Sequence, residues 1–137
     1  MEALYFAYGA NLDRGHMTRL CPGAEAQGLA QLDRHRVFIA AAGFASVRPD
    51  KGTVHGVLWQ VSERDFAALD GYESVPTGLY RRETRTVRLR DAAVEAAVYV
   101  ASDARPGRPR RAYRAMIVAA AREWNLPEEH VRLLETL

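Results

Sequence analysis

Apolar residues in this chain arrive in short runs broken by glycine, proline and charge, and the spacing inside each run predicts an element. Leu4 to Tyr8 is a continuous apolar and aromatic run stopped by Gly9, the pattern of a buried strand. Asn11 or Asp13 is placed to cap a short helix running to Leu20, which Cys21-Pro22-Gly23 would end. From Ala24 to Val47 the pattern loosens, with strand-like pieces at Gly28–Asp33 and Arg36–Ala41. Pro49-Asp50-Lys51-Gly52 predicts a turn between strands, and Val54 to Val61 alternates as a strand with Trp59 inside it.

Ser62-Glu63-Arg64-Asp65 reads as a capped helix start, with Gly71 placed to end that helix and Tyr72 to Gly78 left as loop by Pro76 and Gly78. Two strands follow at Tyr80–Leu89 and Val94–Val100, with a tight connection at Asp91-Ala92. Ala104 to Arg111, rich in Pro, Gly and Arg, predicts an exposed loop. Tyr113, Met116, Ile117, Ala120 and Trp124 recur at helical spacing and mark the buried face of the longest helix. Pro127 breaks that helix, and Glu128 to Leu137 forms a short last one. Strands and helices do not alternate strictly, so a doubly wound parallel sheet is not expected. The order predicts an α+β domain over 1–137 with a mixed, strongly curved or barrel-like β-sheet and flanking helices.

A chain of 137 residues has the length of one domain and can bury a core without disulfides or metal. Hydrophobic residues make up 48% and charged residues 26%, which argues against disorder, and a net charge of +2 is too small to imply nucleic acid. The lone Cys21 cannot form an internal disulfide, so a reducing, cytoplasmic setting is expected. Met1-Glu2-Ala3-Leu4-Tyr5-Phe6 carries an early acid and does not read as a signal peptide. No apolar stretch approaches the ~20 residues that cross a bilayer, so no membrane partner is expected.

Two segments hold candidate chemistry. Leu4 to Leu12 is a strand running through a glycine turn into a helix start, where free backbone N–H groups can receive a carboxylate. Such turns more often carry no ligand. Glu73 lies in a loop flanked by Tyr72, Val75, Pro76 and Leu79, where burial would raise a carboxyl toward neutrality and make it a useful base. Most glutamates are instead solvated. His16, His35, His55 and His130 show no i, i+4 pair and none adjoins the cysteine, so neither a metal site nor a Cys-His nucleophile is expected. Arg105, Arg108, Arg110, Arg111 and Arg114 form a basic cluster without interleaved aromatics, read as a solvated face rather than a nucleic-acid surface.

A family resemblance shifts these balances. Tyr5-Phe6-Ala7-Tyr8-Gly9-Ala10-Asn11-Leu12 resembles the YFAYGSNL signature of the γ-glutamylcyclotransferase (AIG2-like) family. Gly56-Val57-Leu58-Trp59, then Leu69-Asp70, Glu73 and Gly78-Leu79-Tyr80, resemble its catalytic segment, and Tyr113 with Asn125-Leu126-Pro127 is a weaker third match in the same order. The resemblance implies a compact barrel-and-helix fold, with Glu73 as catalytic acid/base. It implies a pocket lined by Tyr8, Gly9, Ala10 and Asn11 that holds a small-molecule γ-glutamyl substrate, with Tyr80 and Tyr113 approaching it, and no metal or organic cofactor. The reaction implied is ring closure of a γ-glutamyl amino acid or amine to 5-oxoproline, with backbone N–H groups or Tyr80 as donors to the oxyanion. Where the family has serine this chain has Ala10, and where it often has glycine after the glutamate this chain has Ser74, at a strain of roughly 1 kcal/mol if φ there is positive. A cyclotransferase acting on a γ-glutamylated biosynthetic intermediate and a non-catalytic small-molecule binder of the same fold are the alternatives. A homodimer through the apolar C-terminal helices is left open.

Overall fold

A computed structural model describes residues 3–137; Met1 and Glu2, part of the N-terminal reading above, lie outside the described residues. The strands are β1 (Ala3–Ala7), β2 (Glu25–Ile39), β3 (Ala45–Val61), β4 (Tyr80–Leu89) and β5 (Ala92–Ala101). The helices are α1 (Arg14–Leu20), α2 (Glu63–Tyr72), α3 (Arg111–Glu123) and α4 (Glu128–Glu135), with a single 3-10 turn at Ala10–Leu12. The strands close into a barrel in the order β1-β3-β2-β4-β5. All neighbours are antiparallel except β1 and β5, which meet in parallel at Tyr5 and Ala97. The α+β, barrel-like sheet expected from the element order is therefore the fold observed.

Closure requires β1 to lie tightly between two partners, and its residues suit that. Tyr5, Phe6 and Ala7 are all buried. Gly56 on β3 makes the fit possible: a Cβ there would stand 2.2 Å from the Ala7 carbonyl oxygen and 2.9 Å from the Phe6 ring. Any side chain at this point would part the two strands.

The longest departure from the sequence reading is the β2–β3 hairpin. Pro49-Asp50-Lys51-Gly52 does not turn the chain but lies within β3, where Pro49 faces His35. The register shifts between Asp33 and His35, and Arg34 takes φ +60°, so a bulge absorbs the local irregularity in an exposed stretch. The turn is instead at Ala40–Phe44, closed by Ala40 N–H to the Phe44 carbonyl (2.9 Å) and Gly43 N–H to the Ala40 carbonyl (2.8 Å). The two expected pieces of β2 are one 15-residue strand. The hairpin curls back over the barrel, so Ser46 Oγ receives the Ala101 N–H from β5 at 2.9 Å.

The helices close the remaining faces. Asp13, not Asn11, caps α1 by accepting the His16 N–H. Ser62 and Asp65 form a reciprocal capping box on α2. Ile117, Ala120 and Ala121 bury the inner face of α3, and Trp124 just beyond it donates its indole N–H to the Leu12 carbonyl at 2.7 Å. Among the described residues no helix is long and apolar enough to cross a membrane.

On α4, His130 is buried with its ring 5.2 Å from that of His55, and its Nε2 has no partner. Burial, reinforced by His55, lowers its pKa from 6.5 to about 4. Between those values the unfolded chain binds a proton that the native chain refuses, so stability drains away as pH falls from 6.5 towards 4. Urea denaturation at pH 7 and pH 4 should show His130→Leu gaining about 2–3 kcal/mol on the native chain across that interval. A constant difference would exclude this origin.

Candidate active site

A cavity of about 260 Å³ opens where the exit of β1, the tip of the β2–β3 hairpin, the end of α2 and the start of α3 converge. All six tyrosines of the chain line it: Tyr5, Tyr8, Tyr72, Tyr80, Tyr99 and Tyr113. Gly9, Ala10, Asn11 and Glu73 complete the set expected from sequence, so the residues of the first strand's exit and the distant glutamate line one cavity. Glu73 is the one charged side chain among the described lining residues.

Glu73 is fixed by how α2 ends. The helix does not stop at Gly71 but runs through Tyr72, with Glu73 as its last half-helical residue. The Ser74 N–H bonds to the Gly71 carbonyl (3.1 Å) and the Val75 N–H to the Asp70 carbonyl (3.0 Å), the paired closing bonds of a Schellman ending. That ending needs a left-handed residue just past the cap, and Ser74 occupies it at φ +55°. The Leu79 N–H then returns to the Ser74 carbonyl at 3.1 Å. The backbone on both sides of Glu73 is tied down, while no described residue hydrogen-bonds or ion-pairs to its carboxylate. Burial pushes the carboxyl up to about 7. The carbonyl end of α2 acts in the same direction, since its partial negative charge disfavours an anion there.

Two of the phenols are ordered by the backbone of one residue, Ala45. The Ala45 N–H donates to the Tyr113 hydroxyl oxygen at 2.9 Å, and the Ala45 carbonyl accepts the Tyr80 hydroxyl at 2.6 Å. Tyr80 thereby commits its hydrogen to the backbone, whereas Tyr113, which accepts from Ala45, keeps its own. This corrects the expectation that Tyr80 could donate to an oxyanion. Tyr8 donates to the Tyr99 carbonyl at 2.6 Å, Tyr99 donates to Asp70 Oδ1 at 2.7 Å, and the Asn11 side-chain amide donates to the Tyr5 oxygen at 2.8 Å. At the exit of β1, the N–H groups of Ala10 and Asn11 begin the 3-10 turn, where no intrahelical acceptor exists for them.

A model of the "AIG2-like family" matches residues 53–134, from the second half of β3 into α4. The chain belongs to the AIG2-like family. Two curated proteins named γ-glutamylcyclotransferase, from Bos taurus and Mus musculus, are each 26% identical to this AIG2-like chain over 148 residues, covering 98% of it and 78% of their own length. A solved structure named γ-glutamyl cyclotransferase superimposes with a TM-score of 0.92 at 23% identity, over 100% of this chain and 88% of that one. An uncharacterized Homo sapiens protein does so with a TM-score of 0.91 at 24% identity, over 99% and 88%. These structural likenesses establish the fold.

Sequence reasoning missed Tyr5, Phe44, Ala45, Tyr72, Ser74, Leu79 and Tyr99 as lining residues. Phe44 and Ala45 could not be found, because the turn that presents them was placed elsewhere. Tyr99 sat in a segment read simply as a strand. The unused signal was compositional: six tyrosines, all near glycine turns or element starts and ends.

Cys21 is buried 3.7 Å from the Asp65 carbonyl, and its thiol is pushed up to about 12, mainly by burial, so it offers no nucleophile. Among the described residues no three His, Cys, Asp or Glu side chains converge as a metal site would require. In the basic cluster Arg105 pairs with Asp103, and Arg114 donates to the Leu137 carbonyl.

Two stability measurements test the site. Ser74→Gly relieves a left-handed serine and should raise unfolding free energy by about 1 kcal/mol in denaturant titration; no gain would mean that the serine is unstrained. Glu73 has a raised native pKa, so its ionisation costs the fold increasingly from pH 4.5 to 7. Glu73→Gln should match the native chain near pH 4.5 and exceed it by about 2 kcal/mol above pH 7.

Proposed function

We propose that this protein is a γ-glutamyl cyclotransferase that closes a γ-glutamyl amino acid or amine to 5-oxoproline and releases the amine, with Glu73 as the proton carrier. The observation that carries the reading is an unpaired carboxylate, raised by burial to about 7, in the same cavity as the free N–H groups at the exit of β1. The curated relatives named γ-glutamylcyclotransferase support the same reading.

In this scheme the substrate α-carboxylate rests on the Ala10 and Asn11 N–H groups, a role that needs no side chain and survives the loss of the family serine at position 10. The α-ammonium group faces Glu73, which is ionised in about half the molecules at neutral pH and takes one proton from it. The freed amine attacks its own γ-carbonyl carbon, and a five-membered tetrahedral intermediate forms. Because both reacting groups belong to one molecule, the pocket need only hold the folded conformer for much of the entropic cost to be met. The Tyr113 hydroxyl has a hydrogen to give the developing oxyanion, and backbone N–H groups can add to it. The protonated Glu73 then passes its proton to the leaving nitrogen, the γ C–N bond breaks, and the restored carboxylate takes the surplus proton from the ring nitrogen and hands it to the departing amine, which leaves as an ammonium. A carboxyl with a pKa near 7 suits both transfers, being neither too weak a base nor too weak an acid.

Detection of 5-oxoproline from a panel of γ-glutamyl compounds tests the reaction. Glu73→Gln keeps the shape and removes the carrier, and it should lower kcat at least ~100-fold. In the native enzyme kcat/KM should rise with pH through about 7 as Glu73 ionises. Near-native turnover by the glutamine variant would exclude the assignment.

A further inference from the structure

The rim of the cavity differs in character from its floor. Apolar side chains do not usually gather in the open without a reason, and large exposed patches mark contact sites. Four large hydrophobic residues are exposed among the described residues: Phe44 (44%), Tyr72 (44%), Leu79 (36%) and Leu133. The first three all line the cavity, although they come from the hairpin tip, the last turn of α2 and the residue before β4. Each is held in place. Phe44 meets the Tyr113 ring edge-on at 5.3 Å, Tyr72 packs on His16 at 4.5 Å, and the Leu79 backbone is bonded on both sides, to Ser74 and to Ser102.

Charge points the same way. The lining contains no Lys, Arg or His, and its one ionisable carboxylate is Glu73. A substrate fragment carrying its own carboxylate would meet no cation at the rim and would be repelled by Glu73 whenever that group is ionised.

Taking the cyclotransferase reading as given, we propose that Phe44, Tyr72 and Leu79 form the subsite for the leaving group, and that the preferred substrates are γ-glutamyl amides of apolar or aromatic amines that carry no carboxylate. The glutamyl moiety occupies the floor between Glu73 and the β1 exit. Its γ-amide then projects outward, so whatever hangs on the amide nitrogen comes to lie against the three apolar side chains. Burying an aromatic amine there stabilises the bound state by removing apolar surface from water on both partners.

The test compares γ-glutamylbenzylamide with γ-glutamylglutamate by 5-oxoproline release, in the native enzyme and in Phe44→Arg. Native kcat/KM should favour the benzylamide at least about ten-fold, within the range that apolar pocket contacts command. Phe44→Arg supplies the missing cation and removes an apolar wall, and it should shift that ratio at least about ten-fold towards the glutamate. Leu79→Arg, from a different element, should shift it in the same direction. Turnover of both compounds at similar kcat/KM, or a ratio unmoved in both variants, overturns the inference and leaves the cyclotransferase reading standing. Absence of 5-oxoproline from both compounds and from γ-glutamylalanine overturns that reading itself, and the subsite with it.

Discussion

A carboxylate denied any counter-charge is the constraint on which this molecule turns. Glu73 stands at the carbonyl end of α2, inside a wall of phenols, with its backbone pinned by the Schellman bonds on one side and the Leu79–Ser74 bond on the other. Ordinary folding would neutralise such a group with an arginine or leave it in water. Neither is done here, and the free energy of keeping it half-buried must come from elsewhere in the fold. The left-handed Ser74 adds a second local cost at the same corner. Strain gathered at one place and supported by a rigid surround is the pattern expected of a functional site.

The support is the barrel. Closure of β1 between β3 and β5 fixes the direction in which the chain leaves Ala7, and so where the N–H groups of Ala10 and Asn11 point. The β2–β3 hairpin brings Ala45 to the same cavity, and the carbonyl and N–H of that one residue hold Tyr80 from β4 and Tyr113 from α3. Three elements far apart in sequence are thus registered by two hydrogen bonds. The segment after β5 locks the hairpin in turn, since Gly107 donates to the Ile39 carbonyl at 2.8 Å and lies so close to Ala40 that a Cβ would stand 2.2 Å from its carbonyl oxygen. The polar floor and the apolar rim are consequences of this one arrangement.

Much of this was legible in the sequence where local physics decides. The buried run Leu4–Tyr8, the capping box at Ser62 and Asp65, the β4–β5 pair and the helical face of α3 follow from apolar period and capping chemistry alone. The mistakes fell where a local signal was outweighed. Pro49 to Gly52 carries strong turn chemistry, yet pairing with β2 and a bulge at Arg34 hold it extended. Gly71 has the residue type of a helix terminator, yet the helix continues past it and a serine takes the left-handed position.

What the sequence alone determined was the inventory: one short polar loop after an apolar strand, one glutamate between a helix and a strand, and a supply of tyrosines. Those properties follow from side-chain chemistry and from spacings of a few residues. Only the tertiary structure decided that the loop and the glutamate line one cavity, that every tyrosine joins them there, and which phenols accept and which donate. The reason is physical. These facts depend on barrel closure and on contacts such as Tyr80 with Ala45, 35 residues apart in the chain, whose partners no local period records.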